Sequence, residues 1–268
     1  MSLFGGPHCL KFFRFVSRPA VHSAGLFLFP NSLYTYRMRL HNFFIQQKIG
    51  DQTEITINDS DLLNQWRHVL RFNTGSSIVL LDNSGFEYLT QFIELNFRKA
   101  TFSVLEKRKN KFLPKKEIFL FQSLIKSDRF EWILEKGTEL GISHFRPIIT
   151  HRSVAKKINI ARARKIVRES AEQSGRGILP ALYEPMSFEE ILSVYKFPYI
   201  VFDPSGKPWT HKDFETTKAL GVLIGPEGGW SEQELQLLRD KKIPIISLGI
   251  QILRAETAAI AVSSLLLL

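Results

Sequence analysis

Two apolar runs near the carboxyl end of the chain each stop at a glycine and lead through a polar tip into a helix start. Residues 223–234 read LIGPEGGWSEQE, and residues 248–260 read LGIQILRAETAAI. The first run, 219–224, has strand length. Gly225 and Pro226 end it, because proline has a fixed φ and no N–H. Gly228 and Gly229 allow a ligand to approach the main chain closely. Ser231 and Glu234 have the spacing of a capping box for the helix that follows. The second strand, 243–248, breaks at Gly249, and a short apolar loop then reaches Arg254. Two strand ends interrupted in this way build one pocket at the carboxyl edge of a sheet. The spacing alone is equally compatible with two ordinary strand-to-helix turns.

Upstream, the pattern from residue 117 alternates strand and helix. Strands are expected at 118–125, 144–150 and 199–202. Helices are expected after Ser127 or Asp128 as cap, ending at Gly141, then at 160–174, and from a Ser187/Glu190 capping box to Tyr195. Pro204, Ser205 and Gly206 read as a turn. Such alternation predicts an α/β fold with a mostly parallel sheet covered on both faces. The apolar end, 258–268, is too short to span a bilayer and reads as a buried core helix.

The first half reads differently. Short strands are expected at 39–45, 53–57, 77–81, 86–95 and 101–105, with Asn83-Ser84-Gly85 as a hairpin turn. Leu62, Leu63, Trp66, Val69 and Leu70 give 60–71 a helical face. This composition suggests a small β-barrel. Residues 98–116 read as a linker-like basic stretch, with eight Lys or Arg positions from Arg98 to Lys116 against Glu106 alone. The opening segment, 1–37, contains no Asp or Glu and carries Lys11, Arg14, Arg18 and Arg37. It reads as a transit peptide or as sequence ahead of a true start at Met38, outside the fold either way. The first reading makes the protein organellar, the second cytoplasmic.

At 268 residues and 44% hydrophobic composition the chain can bury two modest cores, and its net charge of +10 points to an anionic partner. A single cysteine, Cys9, rules out an internal disulfide. No dinucleotide, P-loop, HExxH or GxSxG signature occurs, and no metal is expected.

GPEGG paired with LR-x-ET resembles the cofactor loops of the SPOUT methyltransferases, and most of all the RsmE-type family. Residues 126–141 (KSDRFEWILEKGTELG), 172–176 (EQSGR) and 68–71 (HVLR) agree with it. The likeness runs from about residue 38 to the end. It implies a PUA-like RNA-binding barrel at 38–110, a basic linker at 111–116 and a SPOUT domain with a trefoil knot at 117–268. It also implies a homodimer that acts on N3 of a uridine in 16S ribosomal RNA, within the small subunit, with no membrane partner.

The resemblance implies S-adenosylmethionine as donor. Leu223, Ile224, Gly225, Pro226, Glu227, Gly228, Leu248, Gly249, Ile252 and Leu253 would hold it. A uracil N3 must lose its proton and be stabilised as an anion before it accepts a methyl group. A permanently charged guanidinium suits the second task, which makes Arg254 the candidate. Glu227 and Glu256 are candidate proton acceptors, with Glu227 equally readable as an acceptor for loop N–H groups. Arg39, Arg71, Lys126, Arg152, Arg164 and Arg176 are the candidate RNA contacts, Arg176 first because it ends EQSGR. Asn42 stands where the family usually has an arginine. The competing readings are a ribose 2′-O-methyltransferase, an RNA-binding assembly factor without catalysis, and a membrane-surface protein held by its basic leader.

Overall fold

The computed structural model describes residues 40–114, 116–155, 157–210 and 217–268. Arg39 and the leader at 1–37 lie outside the described residues. Residues from Arg39 to the end form one compact unit, which contains two sheets.

The first sheet has the order β1-β3-β4-β5-β2, with β1 at Asn42–Phe44, β2 at Glu54–Ile57, β3 at Ser77–Leu81, β4 at Phe86–Leu95 and β5 at Ala100–Lys109. The hairpin at Asn83 and Gly85 forms as expected, both residues taking positive φ. All five strands contribute to one core around Trp66, which is fully buried against Phe43, Phe92 and Phe102. The expected linker needs correction: β5 runs to Lys109, so most of the basic stretch is strand. The helix expected at 60–71 also changes. Only Ser60–Asn64 (α1) is α-helical, and Gln65–Val69 continues as a π-turn. The wider turn swings the frame after Trp66, so Val69 faces solvent instead of the core.

The second sheet is entirely parallel, in the order β12-β10-β11-β6-β7-β8, with β9 also on β7. These strands are β6 (Glu117–Ser123), β7 (His144–Ile149), β8 (Ala181–Leu182), β9 (Met186–Ser187), β10 (Tyr199–Pro208), β11 (Ala219–Ile224) and β12 (Ile245–Ser247). The helices are α2 (Ser127–Leu140), α3 (Ile160–Ser174), α4 (Phe188–Val194), α5 (Glu232–Asp240) and α6 (Ala255–Leu267). Alternate residues of the central strands feed two cores on opposite faces, Leu120, Val222 and Ile224 into one and Phe121 and Leu223 into the other. Both capping boxes form, at Ser187/Glu190 and Ser231/Glu234. Gly141 and Gly175 close α2 and α3 in the left-handed region.

Three expectations in this half are corrected. The N-cap of α2 is Lys126, which offers no side-chain acceptor, and neither Ser127 nor Asp128 caps it. The turn at Pro204 is a register shift inside β10, between Phe202 and Lys207 of its ladder with β12, shaped by Asp203 accepting from the Ser205 amide and hydroxyl. Helix α6 buries a single stripe, Ala255, Ala259, Val262 and Ser263, while Leu265 and Leu268 are exposed.

The two sheets meet on α3. Asn42 donates to the Glu172 carbonyl (2.8 Å), and the Phe44 amide donates to the Glu172 carboxylate (2.9 Å). Arg168 pairs with Glu172 and donates to the Phe44 carbonyl. Phe44, Val79, Leu81 and Ala171 close a small apolar cluster beside them. The expected RNA-binding role of Arg176 is overturned here. Its guanidinium is buried and donates to the carbonyls of Thr138 (2.9 Å) and Ile142 (2.8 Å), which fastens the end of α2. Burial pulls this group down to about 10. EQSGR is therefore a packing motif.

Arg176→Met is expected to cost about 1–3 kcal/mol in urea unfolding, because two carbonyls lose a charged donor. The same variant is expected to keep its RNA affinity and salt dependence, whereas loss of a phosphate contact would reduce the salt slope by roughly 0.9. Burial raises the Glu172 carboxyl above the usual carboxylate range. Its contribution to stability is therefore greatest below the unfolded-state pKa and is lost as pH rises through the folded-state value. Glu172→Gln is expected to flatten that part of a Tm-against-pH curve.

Candidate active site

Phe202, Ile224 and Ile246 lie side by side in the parallel sheet, through the ladders of β10 with β11 and β12, at the level where β11 ends. Beyond them the two glycine-broken loops face each other across a cavity of about 400 Å³. One wall is the β11–α5 loop, with Gly225, Pro226, Glu227 and Gly229. The other is the β12–α6 loop, with Leu248, Gly249, Ile252, Leu253 and Arg254. Eight of the ten residues expected to hold a donor line this space.

The remaining two do not line it. Leu223 alternates to the opposite face and packs with Phe188 and Trp230. Gly228 turns its carbonyl to Arg152 (2.9 Å). Gly225 sits in tight contact: a Cβ there would meet the Trp230 indole at 3.1 Å, so the indole would have to shift by a few tenths of an ångström. Gly229 at φ +68 and Gly249 at φ +135 need the glycine conformation. The Trp230 indole donates to the Phe202 carbonyl (3.2 Å), tying this loop to β10. The Glu234 carboxylate accepts the Ser231 amide (2.7 Å) and the His151 amide (2.9 Å), tying it to the β7–α3 loop.

Arg254 occupies the N-cap of α6 and is exposed; its carbonyl accepts the Ala258 amide (2.8 Å), and its guanidinium makes no hydrogen bond or ion pair among the described residues. The salt bridge to Glu256 that its sequence position allows is not formed. Glu256 instead faces Arg129 of α2, with Oε1 3.6 Å from Nε. Arg129 also reaches Glu227, with Nη1 3.4 Å from Oε1. The second carboxylate oxygen of Glu256 is buried without a donor. Of the three candidate catalytic residues, Arg254 and Glu227 line the cavity and Glu256 lies behind its wall.

Sequence reasoning missed Arg129, Asp203, Trp230 and Gln251, which also line the cavity. Arg129 was legible in principle: it lies in the first turn of the helix after β6, and every carboxyl-end loop of a parallel sheet faces the same crevice. Among the candidate RNA contacts, Arg152 is exposed yet holds the carbonyls of Gly228 and Trp230. Arg71, at positive φ, Lys126 and Arg164 are exposed. Among the described residues no cluster of three or more His, Cys, Asp or Glu has metal-binding geometry, and no helix is long and apolar enough to cross a membrane.

Residues 113–267 match the model of the RNA methyltransferase domain. The ribosomal RNA small subunit methyltransferase E of Bacillus subtilis is 32% identical over 239 residues, covering 82% of this chain and 93% of the relative. Its Rickettsia conorii counterpart is 27% identical, covering 83% and 93%. The crystal structure of the small subunit methyltransferase E from Neisseria gonorrhoeae, bound to S-adenosyl methionine, superposes with a TM-score of 0.78. It has 25% identity and covers 84% of this chain and 95% of that one. The glycine-broken loops, the parallel sheet behind them and the length of the match agree: the chain belongs to the ribosomal RNA small subunit methyltransferase E family.

Proposed function

We propose that this protein transfers a methyl group from S-adenosylmethionine to N3 of a uridine in 16S ribosomal RNA. Family membership supports the reaction class and the RNA. The observation that carries the residue-level reading is Arg254, an unpaired guanidinium on the lip of the cavity that both loops share.

The cavity suits the donor. Its volume falls in the range of small-molecule sites, and its walls are apolar at Ile224, Leu248 and Leu253, with main chain accessible at Gly225 and Gly249. An adenosine can be sandwiched by those side chains and held by loop amides and carbonyls. When bound, the donor supplies an electrophilic methyl group carried on sulfur. The protein's own part is to orient the base and stabilise the charge left on it. A permanently charged guanidinium at the cavity lip does this without giving up a proton. Glu227 and Glu256, the sequence-level candidates for proton acceptor, are both turned toward Arg129.

For the surrounding architecture, we read the five-stranded half as a PUA-like barrel that grips RNA, with Arg71, Lys126 and Arg164 as exposed cations available to phosphates. A trefoil knot at the β12–α6 loop and a homodimer that completes the pocket are part of the same reading. The exposed Ile250 and Ile252 beside the cavity support a covering partner. Cytoplasmic action on small-subunit particles fits the family's substrate.

Incubation with methyl-labelled S-adenosylmethionine and undermethylated small-subunit RNA, followed by nucleoside mass spectrometry, is expected to yield N3-methyluridine. Ribose-methylated nucleosides, or no label, would overturn the proposal. Arg254→Ala is expected to lower kcat by about 100-fold or more, the scale of losing one preorganised charge-stabilising group, while donor and RNA affinities are kept.

A further inference from the structure

The cavity and its rear wall hold an uneven set of charges. Asp203, Glu227 and Glu256 are acidic, and Arg129 and Arg254 are basic. Asp203 is held by the Ser205 amide and hydroxyl within β10. The other two acids share one partner. Arg129 stands between them, 3.4 Å from Glu227 and 3.6 Å from Glu256, and all three side chains are less than one third exposed. Arg254, on the wall across the cavity from Glu227 and two residues from Glu256, has neither acid as a partner.

We infer that Arg129 is a positioning residue that sequesters Glu227 and Glu256, and so keeps the Arg254 guanidinium free for the substrate. The inference rests on the proposed role of Arg254. It assigns the two acids to charge balance, so that the N3 proton passes to water at the open lip as the guanidinium stabilises the anion. An ion pair in a half-closed site is several times stronger than one in open water. An acid released from Arg129 therefore takes the nearest free guanidinium. Arg254 carries its guanidinium on a flexible stem at the N-cap of α6, two residues before Glu256, and its side chain caps nothing there. A guanidinium already neutralised by a carboxylate offers little to a nucleobase anion. Arg129 thereby bridges the β11–α5 loop, at Glu227, and the first turn of α6, at Glu256.

The test uses the full chain and compares Arg129→Met, Arg129→Lys and the triple variant Arg129→Met/Glu227→Gln/Glu256→Gln. Arg129→Met is expected to lower kcat at least about tenfold, with the dissociation constant for S-adenosylmethionine within about threefold of the parent. Arg129→Lys, which keeps the charge, is expected to recover most of the loss. A second readout needs no turnover: labelling of the unliganded protein with phenylglyoxal, followed by peptide mass spectrometry, reports free guanidinium groups. Arg254 is expected to label readily in the parent, several-fold more slowly in Arg129→Met, and readily again in the triple variant.

Unchanged Arg254 labelling in Arg129→Met, or labelling in the triple variant as slow as in Arg129→Met, overturns the inference. Full activity in Arg254→Ala sinks the proposed role of Arg254 instead, and the labelling pattern still decides whether Arg129 controls its pairing. If Arg129→Met does not fold, Arg129→Gln, which keeps the stem and hydrogen-bonding end without the charge, takes its place in both measurements.

Discussion

The buried carboxylate of Glu234 is the constraint on which the cavity depends. It closes the first turn of α5 through Ser231 and simultaneously receives the amide of His151 from a different loop. A buried carboxylate is costly unless donors surround it, so its position is strongly determined. Through it the GPEGG loop is locked to the loop after β7. Trp230, one residue before the capping box, locks the same loop to β10. Arg152 adds two further bonds to carbonyls of this loop. The loop is thus held by three side chains to two neighbours, the β7–α3 loop and β10, and of the three only the indole lines the cavity.

Much of this was legible in the sequence. The strand at 219–224, the helix at 160–174 and both capping boxes occur where local pattern places them, because each combines an apolar period with a matching stop or cap. The convergence of the two glycine-broken loops was one of two readings the spacing allowed, and the family resemblance favoured it. Other features depend on tertiary context and leave no local trace. The π-turn after Asn64 answers to the burial of Trp66, and the length of β5 answers to its partner β4. Leu223 failed as a cavity residue because a strand sends successive side chains to opposite faces, a period of two that a list of loop neighbours overlooks.

The positive charges show the same limit more sharply. A net charge of +10 invites the reading that arginines face RNA. Several instead hold main chain together: Arg176 fastens the end of α2, Arg152 holds carbonyls beside Gly228, and Arg168 fastens β1 to α3. Arginine suits this work, since its five donors span several carbonyls at once. Charge counting cannot separate these uses, because burial and partner geometry decide between them. Asn42 illustrates the converse. Its amide serves as a strut to Glu172, so the missing cation at that position is explained by docking.

That docking makes α3 common property of the two sheets. Its polar groups at Arg168 and Glu172 complete the hydrogen bonding of β1, and its Ala171 closes an apolar cluster with Phe44, Val79 and Leu81. The true seam for recombination therefore does not run through the chain segment after β5. A chimaera that grafts the first sheet of one homologue onto the enzyme half of another must carry the matching surface of α3 with it. Otherwise the graft leaves an orphaned carboxylate and an unfilled apolar notch at the joint.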